Sequence, residues 1–142
     1  MSLDILKQRQ DEIIEDFEEL DDWLDKYQQI IDYAKDLPKI DDSFKTEEYL
    51  IKGCQSQVWV NATCDTEGII HFTADSDAVI TKGIIAMLID VLSGLPAETV
   101  ANNEIYFIDK IGLKDHLSGN RANGLVSMMN YLKKSAQNAC KA

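Results

Sequence analysis

The chain has 142 residues, 45% of them hydrophobic and 27% charged, with a formal net charge of −11. That length and apolar content suit one domain, residues 1–142, whose core removes roughly two thirds of the unfolded surface from water. The acidity sets nucleic acid aside, because binding to phosphates rests on Lys and Arg.

The charge is uneven. Residues 1–50 hold 16 Asp and Glu against 6 Lys and Arg, a balance of −10, whereas residues 51–142 hold 9 against 8, a balance of −1. An acidic face of this kind is most simply a solvated surface, with steering of a basic partner as the alternative. The longest apolar run, GIIAMLI at 83–89, stops at Asp90, well short of the roughly 20 residues that span a membrane. The opening MSLDILKQRQ lacks the basic start, apolar stretch and cleavage site of a secretory leader, and a cytoplasmic address is expected. Cys54, Cys64 and Cys140 are too few and too irregularly spaced for a disulfide framework, so all three are expected to be free thiols in a reducing compartment.

From residue 3 to residue 38, apolar side chains recur at spacings of three and four, including Leu6, Ile13, Phe17, Leu20, Leu24, Ile30 and Ile31. This period predicts a helical hairpin, with Asp21 or Asp22 as N-cap of the second helix and Pro38 after its end. Residues 39–49, KIDDSFKTEEY, have no clear period and read as a surface loop.

IKGCQSQVWV at 51–60 then sets Cys54 beside Gly53 and ahead of the polar Gln55, Ser56 and Gln57. A cysteine kept for packing sits inside an apolar period; this one sits at a glycine-marked bend. In VWVNATC the period becomes two, with Val58, Val60, Ala62 and Cys64 on one face and Trp59, Asn61 and Thr63 on the other, and Trp59 expected to anchor the strand in the core. DTEG turns the chain and IIHFTA returns, which predicts a β-hairpin.

Ser76 or Asp75 is the expected cap of the near-continuously apolar helix DAVITKGIIAMLIDVLSG, which Gly94 and Pro96 terminate. ANNEIYF is assigned a short third strand and FIDKIGL a helical turn. The last helix runs from about Gly119 to Ala139 with Ser118 as its cap. Helices, strands, helices, without strand–helix alternation, give an α+β fold: an N-terminal helical hairpin and a small antiparallel sheet of about three strands, packed on a buried central helix and a long C-terminal helix.

The chemistry centres on Cys54. An ordinary thiol is only a few per cent thiolate near neutral pH. The nearest cation in sequence is Lys52, and Arg121, in the first turn of the last helix, is nominated as a thiolate stabiliser, with a surface arginine at a helix start as the alternative. Cysteine hydrolases need a His base with an orienting partner, and His71 and His116 are read as structural. Cys54, Cys64 and Cys140 stand too far apart in sequence to make the close ligand pairs of a zinc site, so no metal is assigned.

GCQSQVWV at 53–60, FTADSDAVITKGIIAML at 72–88 and GLKDHLSGNRANGLVSMM at 112–129 resemble the SufE family of iron–sulfur assembly, in order and separation, and the similarity spans nearly the whole chain. The resemblance implies a sulfur acceptor, not an enzyme on its own but a sulfurtransferase-type relay partner. Its Cys54 takes persulfide sulfur from a SufS-type, pyridoxal-phosphate-dependent cysteine desulfurase, stimulates that enzyme and passes sulfur to a scaffold of the SufBCD type.

It further implies no cofactor of its own, a monomer or weak homodimer, supporting roles for Gly53, Gln55, Ser56 and Gln57, docking roles for Asp75 and Asp77 in ADSDA, and a motif position for Arg121. Cys64 and Cys140 fall outside the motifs and are expected to be a strand packing residue and a terminal thiol. Two rival readings are an IscU-type scaffold and an activator of a desulfurase that carries no sulfur.

Overall fold

The computed structural model describes residues 2–54, 56–113 and 119–140, with residues 2 and 119–123 described by backbone alone. Helices α1 (Ser2–Glu18) and α2 (Trp23–Lys35) form the predicted hairpin. Asp22 is the N-cap of α2, accepting a hydrogen bond from the Asp25 amide at 2.9 Å. The apolar period becomes a buried stripe at Leu6, Ile13, Phe17 and Ile30, while Leu24 is 81% exposed.

Strands β1 (Val58–Cys64) and β2 (Ile69–Ser76) pair antiparallel, with Val60 opposite Ala74 and Ala62 opposite Phe72. Asp65 builds the turn between them, its carboxylate accepting from the Glu67 and Ile69 amides. Helix α3 (Val79–Leu92) is buried along nearly its whole length. It crosses α2 so closely that a Cβ added at Gly83 would stand 2.2 Å from the Ile30 carbonyl oxygen, so glycine is the residue that fits there. Arg9 of α1 reaches the end of α3 and donates to the Val91 and Ser93 carbonyls, which the helix leaves without partners of its own.

The third strand, β3 (Leu95–Pro96), pairs with Ile69 and Ile70. ANNEIYF, assigned a strand from its sequence, instead lies at the end of α4 (Ala97–Asn102) and in the segment leading to α5 (Phe107–Lys110). Gly94, at φ +81, turns the chain back before it travels that far, so the residues that stop α3 themselves make the strand. The cap assignment for α3 is also corrected: β2 continues to Ser76, and the N-cap position falls on Ala78, whose amide bonds the Ser76 hydroxyl. Helix α6 (Gly119–Ala139) completes the predicted α+β architecture, a three-stranded antiparallel sheet with helices around it. Its proposed cap, Ser118, lies outside the described residues, as does His116.

Two further expectations are overturned. Trp59 is half-buried on the face of β1 opposite Val58 and Val60, with the Lys45 ammonium 5.7 Å from its ring centroid, so it covers the outer face of the sheet rather than anchoring the core. Cys64 and Cys140 form a disulfide, with Cα atoms 5.3 Å apart and a sequence separation of 76. Spacing concealed the pair because the end of β1 and the end of α6 meet only in the folded chain. The inference of a reducing compartment, which rested on three free thiols, loses that support.

A crosslink closing so long a loop stabilises chiefly by restricting the unfolded chain, by about 2–4 kcal/mol. Cys140→Ser is therefore expected to lower the thermal midpoint measured without reductant, and reductant should bring the parent protein down to the variant while leaving the variant unchanged. Equal midpoints for the two proteins without reductant would refute the crosslink.

Candidate functional site

Cys54 is the free cysteine of the three. It is half-buried, on the loop between residue 51 and β1. Its Sγ lies 3.5 Å from the carbonyl oxygen of Gly124 in α6, within the range of a weak S–H···O contact. Gly124 has no side chain to hold the loop off; a Cβ there would meet Sγ at 3.5 Å and the Cys54 Cα at 3.6 Å. Immediately before Cys54 in the chain, Gly53 adopts φ +95, a conformation glycine takes without strain, and a Cβ on it would come within 2.5 Å of the Ser127 hydroxyl, also on α6. Two glycines from separate parts of the chain thus let the thiol lie directly on α6.

The far end of the loop is tied to the end of β2. The Gln57 amide donates to the Asp77 carboxylate at 3.0 Å, and the Asp77 amide donates to the Gln57 carbonyl at 3.2 Å. Of the predicted supporting residues, Gln57 acts through its backbone, with Asp77 supplying the side chain. Ser56 is a half-buried bend residue, and Gln55 lies outside the described residues. The side chain of Arg121 also lies outside them.

Asp75 is buried, 5% exposed, at the centre of a lysine cluster. Lys45 approaches its carboxylate at 2.6 Å, Lys82 at 3.2 Å and Lys39 at 4.0 Å, and the Ser76 amide donates to it at 2.9 Å. Desolvation works to raise its pKa, but Lys45, the Ser76 amide and Lys82 outweigh it and hold the carboxyl below its ordinary value. Asp75 thus presents lysines to the surface rather than its own charge. Lys39 reaches it because the segment 38–40 pairs with Ala74 of β2.

Burial pushes the Cys54 thiol up from its ordinary value. The Gly124 carbonyl accepts from S–H and repels S⁻, so the seat favours the protonated form. In this position Cys54 is masked. Among the described residues, no three of His, Cys, Asp and Glu gather as metal ligands, and no helix is long and apolar enough to cross a membrane.

Sequence reasoning singled out Cys54, Gly53 and Asp77, the last for docking rather than as a tie to Gln57, but not Gly124 or Ser127, although both stand inside the motif at 112–129. No local signal in NGLVS says which loop it will meet. Nor do Lys39, Lys45 and Lys82 carry any mark in sequence that they converge on one carboxylate.

Fold and site together define an α+β protein with one free thiol on a glycine-flanked loop, seated against a helix backbone. The chain belongs to the SufE family: the family described as "SufE: Fe-S metabolism associated domain" matches residues 11–136. An uncharacterised SufE-like protein of Rhizobium meliloti is 40% identical over 131 residues, covering 89% of this chain and 94% of that protein. The sulfur acceptor protein CsdE of Escherichia coli is 36% identical over 110 residues, covering 77% and 75%. SufE-like protein 1, chloroplastic/mitochondrial, of Arabidopsis thaliana is 40% identical over 125 residues, which is 88% of this chain but 34% of that longer protein. The same fold occurs in the solution structure of a hypothetical protein from Thermus thermophilus, with a TM-score of 0.75 at 22% identity, covering 92% of this chain and 95% of that one.

The masked thiol predicts the pH dependence of alkylation. Because the folded pKa is raised, the thiolate is depleted until pH passes that higher value; iodoacetamide labelling of the folded protein should therefore reach half its maximal rate at a higher pH than labelling of the unfolded chain. Asp77→Ala frees the Gln57 amide and should lower that midpoint, speeding labelling at neutral pH by about threefold or more, the equivalent of about half a pKa unit. Identical profiles for folded and unfolded protein would show that Cys54 is not masked.

Proposed function

We propose that this chain is a sulfur acceptor and carrier in iron–sulfur cluster assembly, loading Cys54 from the persulfide of a SufS-type cysteine desulfurase. The observation that carries the proposal is the state of the three cysteines: Cys64 and Cys140 are consumed by each other, and Cys54 alone is free, on a loop that two glycines allow to rest on α6. CsdE, 36% identical to this chain, is named a sulfur acceptor protein, which supports the same role here.

The step is a displacement. The Cys54 thiolate attacks the outer sulfur of the partner's persulfide; the Cys54 S–S bond forms, the partner's S–S bond breaks and its thiolate leaves, with no net oxidation or reduction. The pyridoxal phosphate that generates the persulfide belongs to the desulfurase. When the loop opens toward the donor, Cys54 gains solvation and its thiolate fraction rises where a sulfur is on offer. When it returns to α6, the loaded sulfur is withdrawn from stray thiols until a scaffold of the SufBCD type receives it. Removing the persulfide product also stimulates the desulfurase.

Asp75 and Asp77 take part in docking on this reading, Asp75 through the lysines it gathers and Asp77 by releasing Gln57 as the loop opens. Arg121 is proposed to stabilise the anion. Arg121→Ala should raise the alkylation midpoint of Cys54 by about half a unit or more; an unchanged profile removes Arg121 from the site.

A cluster scaffold requires several ligands converging on one place, whereas two of the three cysteines here are tied together. An activator that carries no sulfur is separated from a carrier by Cys54→Ser. Desulfurase turnover with cysteine should fall to the level without this protein while binding persists, and preserved stimulation by the variant would establish the activator instead.

A further inference from the structure

Beside the Cys54 loop lies an open groove of about 1070 Å³ between β1, residues 47–52 and α6. Lys52 and Ser127 line it at the end nearest Cys54; Lys52 is two residues from Cys54, and Ser127 meets Gly53. Ala139, next to the Cys64–Cys140 crosslink, lines the other end. From Ser127 to Ala139 is 12 helical steps, or about 18 Å, the length of five or six extended residues.

The floor is an unfinished sheet edge. β1 is the outer strand of the sheet. The Ile51 amide donates to the Val58 carbonyl at 2.8 Å, so that carbonyl points away from β2, while the Gln57 carbonyl bonds the Asp77 amide on the β2 side. Backbone groups alternate along an antiparallel strand, so Val60 and Ala62 direct theirs outward as Val58 does. Residues 50 and 51 cover only the start of this edge, through the Leu50–Trp59 bridge. Beyond it, no strand among the described residues pairs with this side of β1, and Val60, Asn61 and Ala62 face the groove.

Two acidic residues, Glu47 and Glu48, and two basic ones, Lys52 and Lys134, line the groove, so it is balanced in a chain of net charge −11. Recognition there falls to backbone hydrogen bonds and the flanks of Tyr49 and Tyr131 rather than to net charge.

We infer that the groove docks an extended segment of the sulfur-donating desulfurase, which adds as a strand to the open edge of β1 next to Cys54. The inference rests on the sulfur-acceptor reading and names where its partner binds. Main-chain pairing supplies affinity and sets register in steps of about 3.3 Å. A strand held at this edge lies beside the residue 51–54 segment, which places the donor next to the acceptor loop. A second copy of this chain in the groove would occupy that approach instead.

Two variants test the inference with a pyridoxal-phosphate-loaded cysteine desulfurase that binds the parent protein. Ala62→Pro removes an outward amide while leaving the β2 ladder, since proline is tolerated at edges. Asn130→Trp fills the groove from an exposed position on α6 and keeps the test valid should the proline variant fail to fold. Both are expected to raise the desulfurase Kd at least tenfold by calorimetry without changing Cys54 alkylation of the unbound protein. In the parent protein, hydrogen exchange at the Ala62 amide is expected to slow on binding.

Unchanged affinity in the folded variants or unchanged Ala62 exchange would overturn the inference, as would loss of a concentration-dependent dimer in place of desulfurase binding. The two readings separate cleanly. Ala62 protection with no sulfur reaching Cys54 leaves the groove standing and removes the acceptor role; normal sulfur transfer through Asn130→Trp does the reverse.

Discussion

The Cys54 sulfur rests on the Gly124 carbonyl of α6, half-hidden from water and from other thiols; on the carrier role proposed above, this seat is where a sulfur would be sheltered between donor and recipient. A weak S–H···O contact at 3.5 Å holds the thiol without trapping it. The raised pKa follows from the same burial, so concealment and low reactivity are one effect rather than two. Removing the sulfur from α6 removes both together.

The rest of the fold fixes the surroundings of that contact. Gly53 gives the loop its bend at one end, and the paired bonds between Gln57 and Asp77 tie it down at the other. Behind Asp77, the Asp75 carboxylate holds Lys45 and Lys82 against the end of the hairpin. α6, which presents Gly124, is secured at its far end by the bond from Cys140 to Cys64, and its apolar face at Leu125, Met128, Leu132 and Ala136 is buried. Little of this is local in sequence: the loop depends on Asp77, beyond the whole β-hairpin, and on Gly124, close to the other end of the chain.

That non-locality explains what was legible in the chain before its structure was known. Periodic elements were: the helical hairpin and the β1–β2 pairing follow from runs of three-and-four or two, because burial of one face dictates the period, while α3 was read from its near-continuous apolar run and α6 from its start after Ser118. β3 was not, because a two-residue strand has no period and Gly94 and Pro96 read as stop signals for α3. Cys54 stood out by its odd placement beside Gly53, and the motifs around it named the family.

The partners of Cys54 were hidden, since a glycine in a helix advertises nothing about the loop it will meet. The disulfide was hidden for the same reason: two cysteines so distant in sequence reveal a bond only once β1 and α6 are side by side. Asp75 carries a further non-local feature: the motif marks the residue, but only the fold shows that Lys45, Lys82 and Lys39 gather on its carboxylate.

The disulfide also sharpens the proposed chemistry, because it removes two of three candidate thiols and leaves Cys54 as the free one. The most direct measurement is therefore mass spectrometry of the intact and digested protein after incubation with a cysteine desulfurase and free cysteine, without reductant. One added sulfur on Cys54, with Cys64 and Cys140 still joined, is the expected result; sulfur on either of those two cysteines, or none on Cys54 while the desulfurase turns over, would contradict it.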